Sequence, residues 1–129
     1  MNREEILKIL DNYQFNPKEF VILSGASMVL QGMKEKTTDI DITTTDSLYK
    51  QLLNTYSCVL EKKVGMHSVW FIDNVINFSN HYYDTIEYIE YDGYQVQTLD
   101  SILKLKESLG REKDKEDIKK LRLFTMKQK

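Results

Sequence analysis

The chain has 129 residues, 41% hydrophobic and 29% charged, with 18 Lys and Arg against 20 Asp and Glu for a net charge of -2. That length suits a single domain over 1–129, large enough to fold without disulfides or a structural metal. The near balance of charge excludes a surface built for non-specific nucleic-acid binding, and no apolar run approaches the ~20 residues of a membrane span.

Charge is nevertheless uneven. Lys and Arg gather from Lys104 to Lys129, whereas Asp and Glu gather from Asp84 to Asp100, so a local basic face beside a carboxylate site is expected. The single cysteine, Cys58, permits no internal disulfide and fits a reducing compartment. Within Tyr-Ser-Cys-Val-Leu it reads as a small core residue rather than a nucleophile. The charged N-terminus lacks the apolar segment of a signal peptide, and the expected location is the cytoplasm, with no membrane partner.

In chain order, Ile6, Leu7 and Leu10 recur at helical spacing behind Glu4 and Glu5 and predict a helix over about 3–12. Pro17 lies in a polar turn. Residues 20–23, Phe-Val-Ile-Leu, read as a buried strand broken by Ser24-Gly25-Ala26-Ser27. Ala26, Met28, Val29 and Leu30 predict a short helix ending at Gly32. Residues 39–43 alternate carboxylate and isoleucine, which is strand behaviour. The run 44–47 offers N-caps for a helix over about 48–56. Strands are expected at 58–62, 68–72 and 75–78, followed by a hairpin in which 86–91 and 94–97 flank Asp92-Gly93. The tyrosines between Tyr82 and Tyr94 read as half-buried strand residues. Thr98 or Asp100 would cap a helix over 102–109 that Gly110 stops, and Asp114 would cap a last helix bearing Ile118, Leu121 and Phe124. This order predicts an α/β (α+β) domain, a mixed sheet flanked by helices with two helices at the C-terminal end.

Two local patterns carry chemistry. Asp39-Ile40-Asp41 on a strand sets two carboxylates on one face, roughly 6.6 Å apart along the chain, where they repel unless a cation lies between them; hard oxygen ligands suit Mg²⁺. By itself Asp-x-Asp also suits a solvated edge strand. Leu23-Ser24-Gly25-Ala26-Ser27 is a strand running into a small-residue turn that opens a helix. Glycine would let a phosphate approach the backbone, helix N–H groups would face it, and Ser24 and Ser27 would add hydroxyls.

Together these segments resemble the nucleotidyltransferase superfamily related to DNA polymerase beta, whose signature is a strand, a Gly-Gly or Gly-Ser turn, a helix, then Asp-x-Asp or Asp-x-Glu on the next strand. The run from Val21 to Gly32, continuing to Thr38-Asp39-Ile40-Asp41, is similar to the minimal and abortive-infection-type members. Residues 98–106 and 110–118, with Gly110-Arg-Glu-Lys-Asp-Lys-Glu-Asp117-Ile118, are similar to the closing helical motif of that group and of small antibiotic nucleotidyltransferases. The resemblance covers about residues 18–123.

What the resemblance implies is Mg²⁺-dependent transfer of a nucleoside monophosphate from an NTP to an RNA, protein or small-molecule acceptor. Asp39 and Asp41 would bind two Mg²⁺ ions; Ser24, Gly25 and Ser27 would hold the triphosphate; Lys106, Arg111 and Lys113 would neutralise phosphate, although Lys and Arg near helix ends commonly face solvent. Asp114 and Asp117 read as a helix cap and a first-turn acid. Relatives of this size imply a toxin or phage-defence role with a partner antitoxin. The chain departs from the pattern at the third acidic position, which the register of 70–78 assigns to Asn77, a residue that can ligate through its carbonyl but cannot take a proton. Asp73 is an alternative third acid in a turn, and His67 and His81 are alternative bases. The second expectation is therefore a weak or inactive nucleotidyltransferase-fold domain that binds a nucleotide or a partner protein.

Overall fold

The computed structural model describes residues 1–127. Among them, five α-helices accompany one seven-stranded mixed sheet. The first helix, α1 (Arg3–Tyr13), starts at a capping box: Asn2 accepts from the Glu5 N–H, and the Glu5 carboxylate accepts from the Asn2 N–H. Ile6 and Leu10, one turn apart, are its buried stripe.

A 3-10 turn at Pro17–Glu19 feeds β1 (Phe20–Leu23), three of whose four residues are buried. The following helix, α2 (Ser24–Leu30), begins at Ser24, one residue after the strand, so Ser24 and Gly25 form its first turn. Next comes β2 (Ile40–Thr44), whose Ile40 and Ile42 are fully buried. Asp39 therefore stands at the entrance of the strand rather than within it.

Thr45 caps α3 (Asp46–Thr55) by accepting from the Leu48 N–H. Leu48 and Leu52 bury one face of α3; each buried leucine contributes about 1.5–3 kcal/mol before chain entropy is subtracted. Three strands follow: β3 (Cys58–Val64), β4 (His67–Ile72) and β5 (Ile76–Ser79). The hairpin of β6 (Tyr88–Tyr91) and β7 (Tyr94–Gln97) turns at Asp92 and Gly93, both at positive φ, which fits the primed turn that matches strand twist. Tyr88 and Tyr91 are more exposed than the half-buried strand tyrosines expected; Tyr94 is half-buried.

Thr98 caps α4 (Leu99–Leu109), which Gly110 ends in a left-handed conformation. A 3-10 turn at Glu112–Asp114 leads into α5 (Lys115–Lys127). Asp114 lies in that turn and is buried; its two carboxylate oxygens are taken by Lys106 and Arg111. It directly precedes α5, at the position expected of a helix cap, and its carboxylate forms an ion pair there. Asp117 occupies the first turn of α5, as expected.

The sheet order is β3-β4-β5-β2-β1-β7-β6. β1 and β2 are antiparallel at the centre, and each has a parallel outer neighbour, β7 and β5 respectively. The main core joins α1 and α3 to the sheet through Phe20, Ile22, Ile42, Ile76 and Phe78. A smaller core packs Met28 of α2 against Leu99, Ile102 and Leu103 of α4 and Leu121 of α5. Among the described residues, no helix is long and apolar enough to cross a membrane.

Candidate active site

Register creates the site. Leu23 at the end of β1 pairs with Asp41, so the chain enters α2 beside that carboxylate. On the other side of β2, Asn77 of β5 is the direct partner of Asp41. Because Ile40 and Ile42 occupy the core face, Asp41 projects from the opposite one. The result is a cavity of about 320 Å³ into which Ser24, Gly25, Asp39, Asp41, Asn77, Lys106, Arg111 and Lys113 all open.

Asp41 carries the main electrostatic tension. Its carboxyl is pushed up to about 6, first by burial low in the cavity and then by the charges of Asp39 and Glu61; Lys62 and Lys106 act in the opposite direction. A half-buried carboxylate with carboxylate neighbours is suited to a cation. Asp39, Asp41 and the Asn77 amide oxygen are hard oxygen donors that fit Mg²⁺, with phosphate oxygens of a ligand to complete the shell. Among the described residues, no three His, Cys, Asp or Glu side chains are gathered closely enough to hold a metal by themselves.

The glycine at 25, which borders the cavity, also has a packing reason. A Cβ there would lie 2.8 Å from the Thr37 hydroxyl, so Gly25 makes room for the loop that borders the cavity. Ser24 sits at φ 47° and its N–H donates to Gln97 Oε1 at 2.9 Å, which removes that donor from any phosphate. Ser24 still borders the cavity. Ser27 does not. It is fully buried; its hydroxyl donates to the Gln97 carbonyl at 2.7 Å and accepts from Gln31 Nε2 at 2.9 Å. The triphosphate role expected of Ser27 is replaced by a structural one, bonding α2 to β7.

The basic group divides. Lys106 is buried, not solvent-facing, and its ammonium lies 3.1 Å from Asp114 and 3.6 Å from Asp117. Burial pushes the Asp114 carboxyl up, but hydrogen bonds from Arg111 and Lys106 outweigh it and hold the group below the usual carboxylate range. Arg111 is half tied to Asp114, at 2.7 Å, while Lys113 is exposed at the rim. Lys34 completes the cluster from the loop after α2, 3.2 Å from Asp117.

The alternatives for the missing acid or base lie elsewhere. Asp73 is in a turn at φ 52° and accepts from the Tyr13 hydroxyl. His67 and His81 stack at 4.0 Å between centroids in a neighbouring cavity that shares only Lys62 and Arg111 with the first. Burial, then His67, lowers the His81 pKa.

Glu61 is the site residue that sequence reasoning misses. On β3, Leu60 faces Trp70 and Lys62 faces Val69, consecutive residues of β4, so Glu61 is the extra residue of a β-bulge. Its carboxylate borders the cavity and accepts from Asn77 Nδ2 at 2.5 Å. The only sequence trace is the loss of alternation in Cys58-Val-Leu-Glu-Lys-Lys-Val64.

The family model for nucleotidyltransferases of unknown function (DUF6036) matches residues 2–126. Among solved structures, the fold is similar to a candidate nucleotidyltransferase, TM1012, from Thermotoga maritima, with 19% identity over 93% of this chain and 94% of that one and a TM-score of 0.60. JHP933 from Helicobacter pylori also matches, at 12% identity over 81% of this chain and 54% of that one, with a TM-score of 0.48. The search of curated proteins found no match. With its central strands, its Ser-Gly helix start and its Asp-x-Asp in one arrangement, and with the family model spanning nearly its whole length, the chain belongs to the nucleotidyltransferase family DUF6036.

Proposed function

We propose that the chain transfers a nucleoside monophosphate from an NTP to an acceptor, with Mg²⁺ held by Asp39 and Asp41. The observation that carries this reading is the single cavity lined by Asp39, Asp41, the Ser24-Gly25 turn and five basic residues, Lys34, Lys62, Lys106, Arg111 and Lys113. Bound Mg²⁺ would polarise the α-phosphate and stabilise the departing pyrophosphate. Ser24 and Gly25 would border the triphosphate, and Arg111 and Lys113 would face its outer charge. Lys106 would act through the pair it forms with Asp114 and Asp117, fixing the wall of the cavity. The acceptor oxygen would give up its proton to water and bond to the α-phosphorus, while the bond from the α-phosphorus to the α–β bridging oxygen breaks and pyrophosphate leaves.

For the acceptor, a second groove of about 560 Å³ adjoins Arg111 and carries Lys115, Lys119 and Arg122. Lys115 pairs with Glu112, Arg122 with Glu107, and Ile118 and Leu123 share the lining, so the groove suits an acceptor with both charged and apolar groups, RNA or protein. A role as a toxin or phage-defence component with a partner antitoxin is a further proposal, supported by the resemblance of residues 18–123.

The test is incubation of the purified protein with Mg²⁺, each labelled NTP, and tRNA or protein, alongside induced expression in a bacterial host. Label transfer by the wild type should fall on the order of 10³-fold in Asp39→Ala and Asp41→Ala. Those variants should also relieve any growth arrest. No transfer, together with identical cellular behaviour of the variants, would sink the reading.

Asn77 beside Asp41 favours a second reading, a nucleotide- or partner-binding domain with little turnover. A large gain of transfer in Asn77→Asp would support it.

A further inference from the structure

The family's Asp-x-Asp is present, but the strand beside Asp41 offers a neutral carboxamide. A carboxamide is ambiguous next to a carboxylate. Its NH₂ end would donate to Asp41 and fill the place a cation should take, whereas its oxygen can only face Asp41 across a cation. Something must select the second orientation if the cavity is to take a metal.

Glu61 meets that need. The bulge between Leu60 and Lys62 removes Glu61 from the ordinary pairing of β3 with β4. Bulges turn side chains toward places that regular alternation would deny them. Here the carboxylate spans from the edge strand across β4 to the amide of Asn77 on β5, accepting from Nδ2 at 2.5 Å. Only the NH₂ end can donate to a carboxylate, so this contact fixes which end of Asn77 is engaged. Among the described residues, no donor is bonded to Asn77 Oδ1, and Asp41 is its strand partner. Glu61 also acts on the charge of the site directly, as one of the two carboxylates that bear on Asp41.

We propose that Glu61 is a positioning residue for the metal site: by holding the NH₂ end of Asn77 it presents Asn77 Oδ1 as the third oxygen donor beside Asp39 and Asp41. It thereby supplies, through a bulge on an edge strand, a neutral oxygen donor at the corner where the family pattern has an acid. The inference rests on the Asp39–Asp41 cavity being a divalent-metal site, as proposed above. Side chains that orient a metal ligand in this way typically account for about 10–100-fold in metal affinity.

The experiment titrates Mn²⁺, as the probe for Mg²⁺, into the full chain by calorimetry and by the loss of free Mn²⁺ signal in electron paramagnetic resonance. Glu61→Ala should bind Mn²⁺ about tenfold or more weakly than wild type. Glu61 is exposed, so the variant should keep its melting temperature. Asn77→Asp in the Glu61→Ala background should restore affinity, because a carboxylate needs no orienting partner. In the wild-type background the same change should help less, since the introduced carboxylate would then face Glu61 across the same short contact.

Wild-type affinity in Glu61→Ala would overturn the inference. So would a double variant that stays as weak as Glu61→Ala, because the effect would then not run through Asn77. Asp41→Ala separates the two levels: loss of Mn²⁺ binding there with no effect of Glu61→Ala defeats only this inference. Unchanged binding in Asp41→Ala defeats the site reading itself.

Discussion

Ser24 and Ser27 lie three residues apart on the same short helix and have opposite fates. Ser24 stays at the cavity, in a left-handed backbone that a non-glycine residue adopts only under restraint, here with its N–H held by Gln97. Ser27 is sealed between Gln97 and Gln31. Removing the hydroxyl takes one bond each from the Gln97 carbonyl and the Gln31 amide, which still bond each other at 2.9 Å. Ser27→Ala should therefore lower stability by about 0.5–1.5 kcal/mol and leave NTP affinity unchanged. Ser24→Ala should do the reverse, weakening NTP binding with little shift in the urea midpoint. Equal effects on binding would refute this division of labour.

Asp41 makes a residue-scale prediction with a definite sign. Its carboxyl titrates near 6 in the folded chain, above the ordinary value, with burial the first cause. The folded state therefore holds that proton more tightly than the unfolded one. The benefit is full below about pH 4 and is lost as pH rises through 6. At pH 7.5 without divalent metal, the ionised group opposes folding by on the order of 1–3 kcal/mol. Asp41→Asn should melt higher than wild type at pH 7.5, and the gap should close toward pH 4. Melting curves that stay parallel across that range would contradict the electrostatic picture.

At the scale of elements, Lys106 joins α4 to the start of α5. Its ammonium is almost enclosed and serves two carboxylates that are themselves nearly buried. Truncating one partner of such a cluster leaves charge in a poor solvent, a loss of about 3–5 kcal/mol. Lys106→Ala should thus destabilise strongly and raise the Asp114 carboxyl, whose depressed value depends on Arg111 and Lys106 against the pull of burial. Guanidinium melts at pH 7 measure the first, and carboxyl chemical shifts measured against pH in wild type and variant read the second. The sequence marked these residues as basic and acidic positions of a closing motif. It could not show that they neutralise one another, since their partners are set by how α4 and α5 pack.

For the whole molecule, the candidate site is assembled from segments between residues 24 and 117, and its far wall depends on the small core around Leu121. Leu121 is fully buried against α4 and Met28 of α2. Leu121→Ala should lose about 2–5 kcal/mol by cavity formation. Because α5 carries Asp117 and follows Asp114, NTP affinity should fall with it, whereas an equally destabilising change under α1, such as Ile6→Ala, should spare affinity while the chain stays folded. Nucleotide titrations on both variants at low temperature check this contrast.

Local chemistry made much of the architecture legible. Capping residues and apolar periodicity marked α1, α3 and α4, the Asp92-Gly93 turn marked the hairpin, and Asp-x-Asp after a Ser-Gly helix start marked the fold family, because each depends on neighbours within a few residues. Other features depended on strand order and helix packing: the pairing of Asn77 with Asp41, the burial of Ser27 and Lys106, the room that Gly25 leaves for Thr37, and the turn of Glu61 toward the site. Those contacts join residues far apart in the chain, and a single extra residue in β3 decides which way a side chain faces. The sequence by itself determined the family and the pair of aspartates. Only the tertiary structure decided which neighbours surround them, since register and packing, not composition, place distant side chains in one cavity.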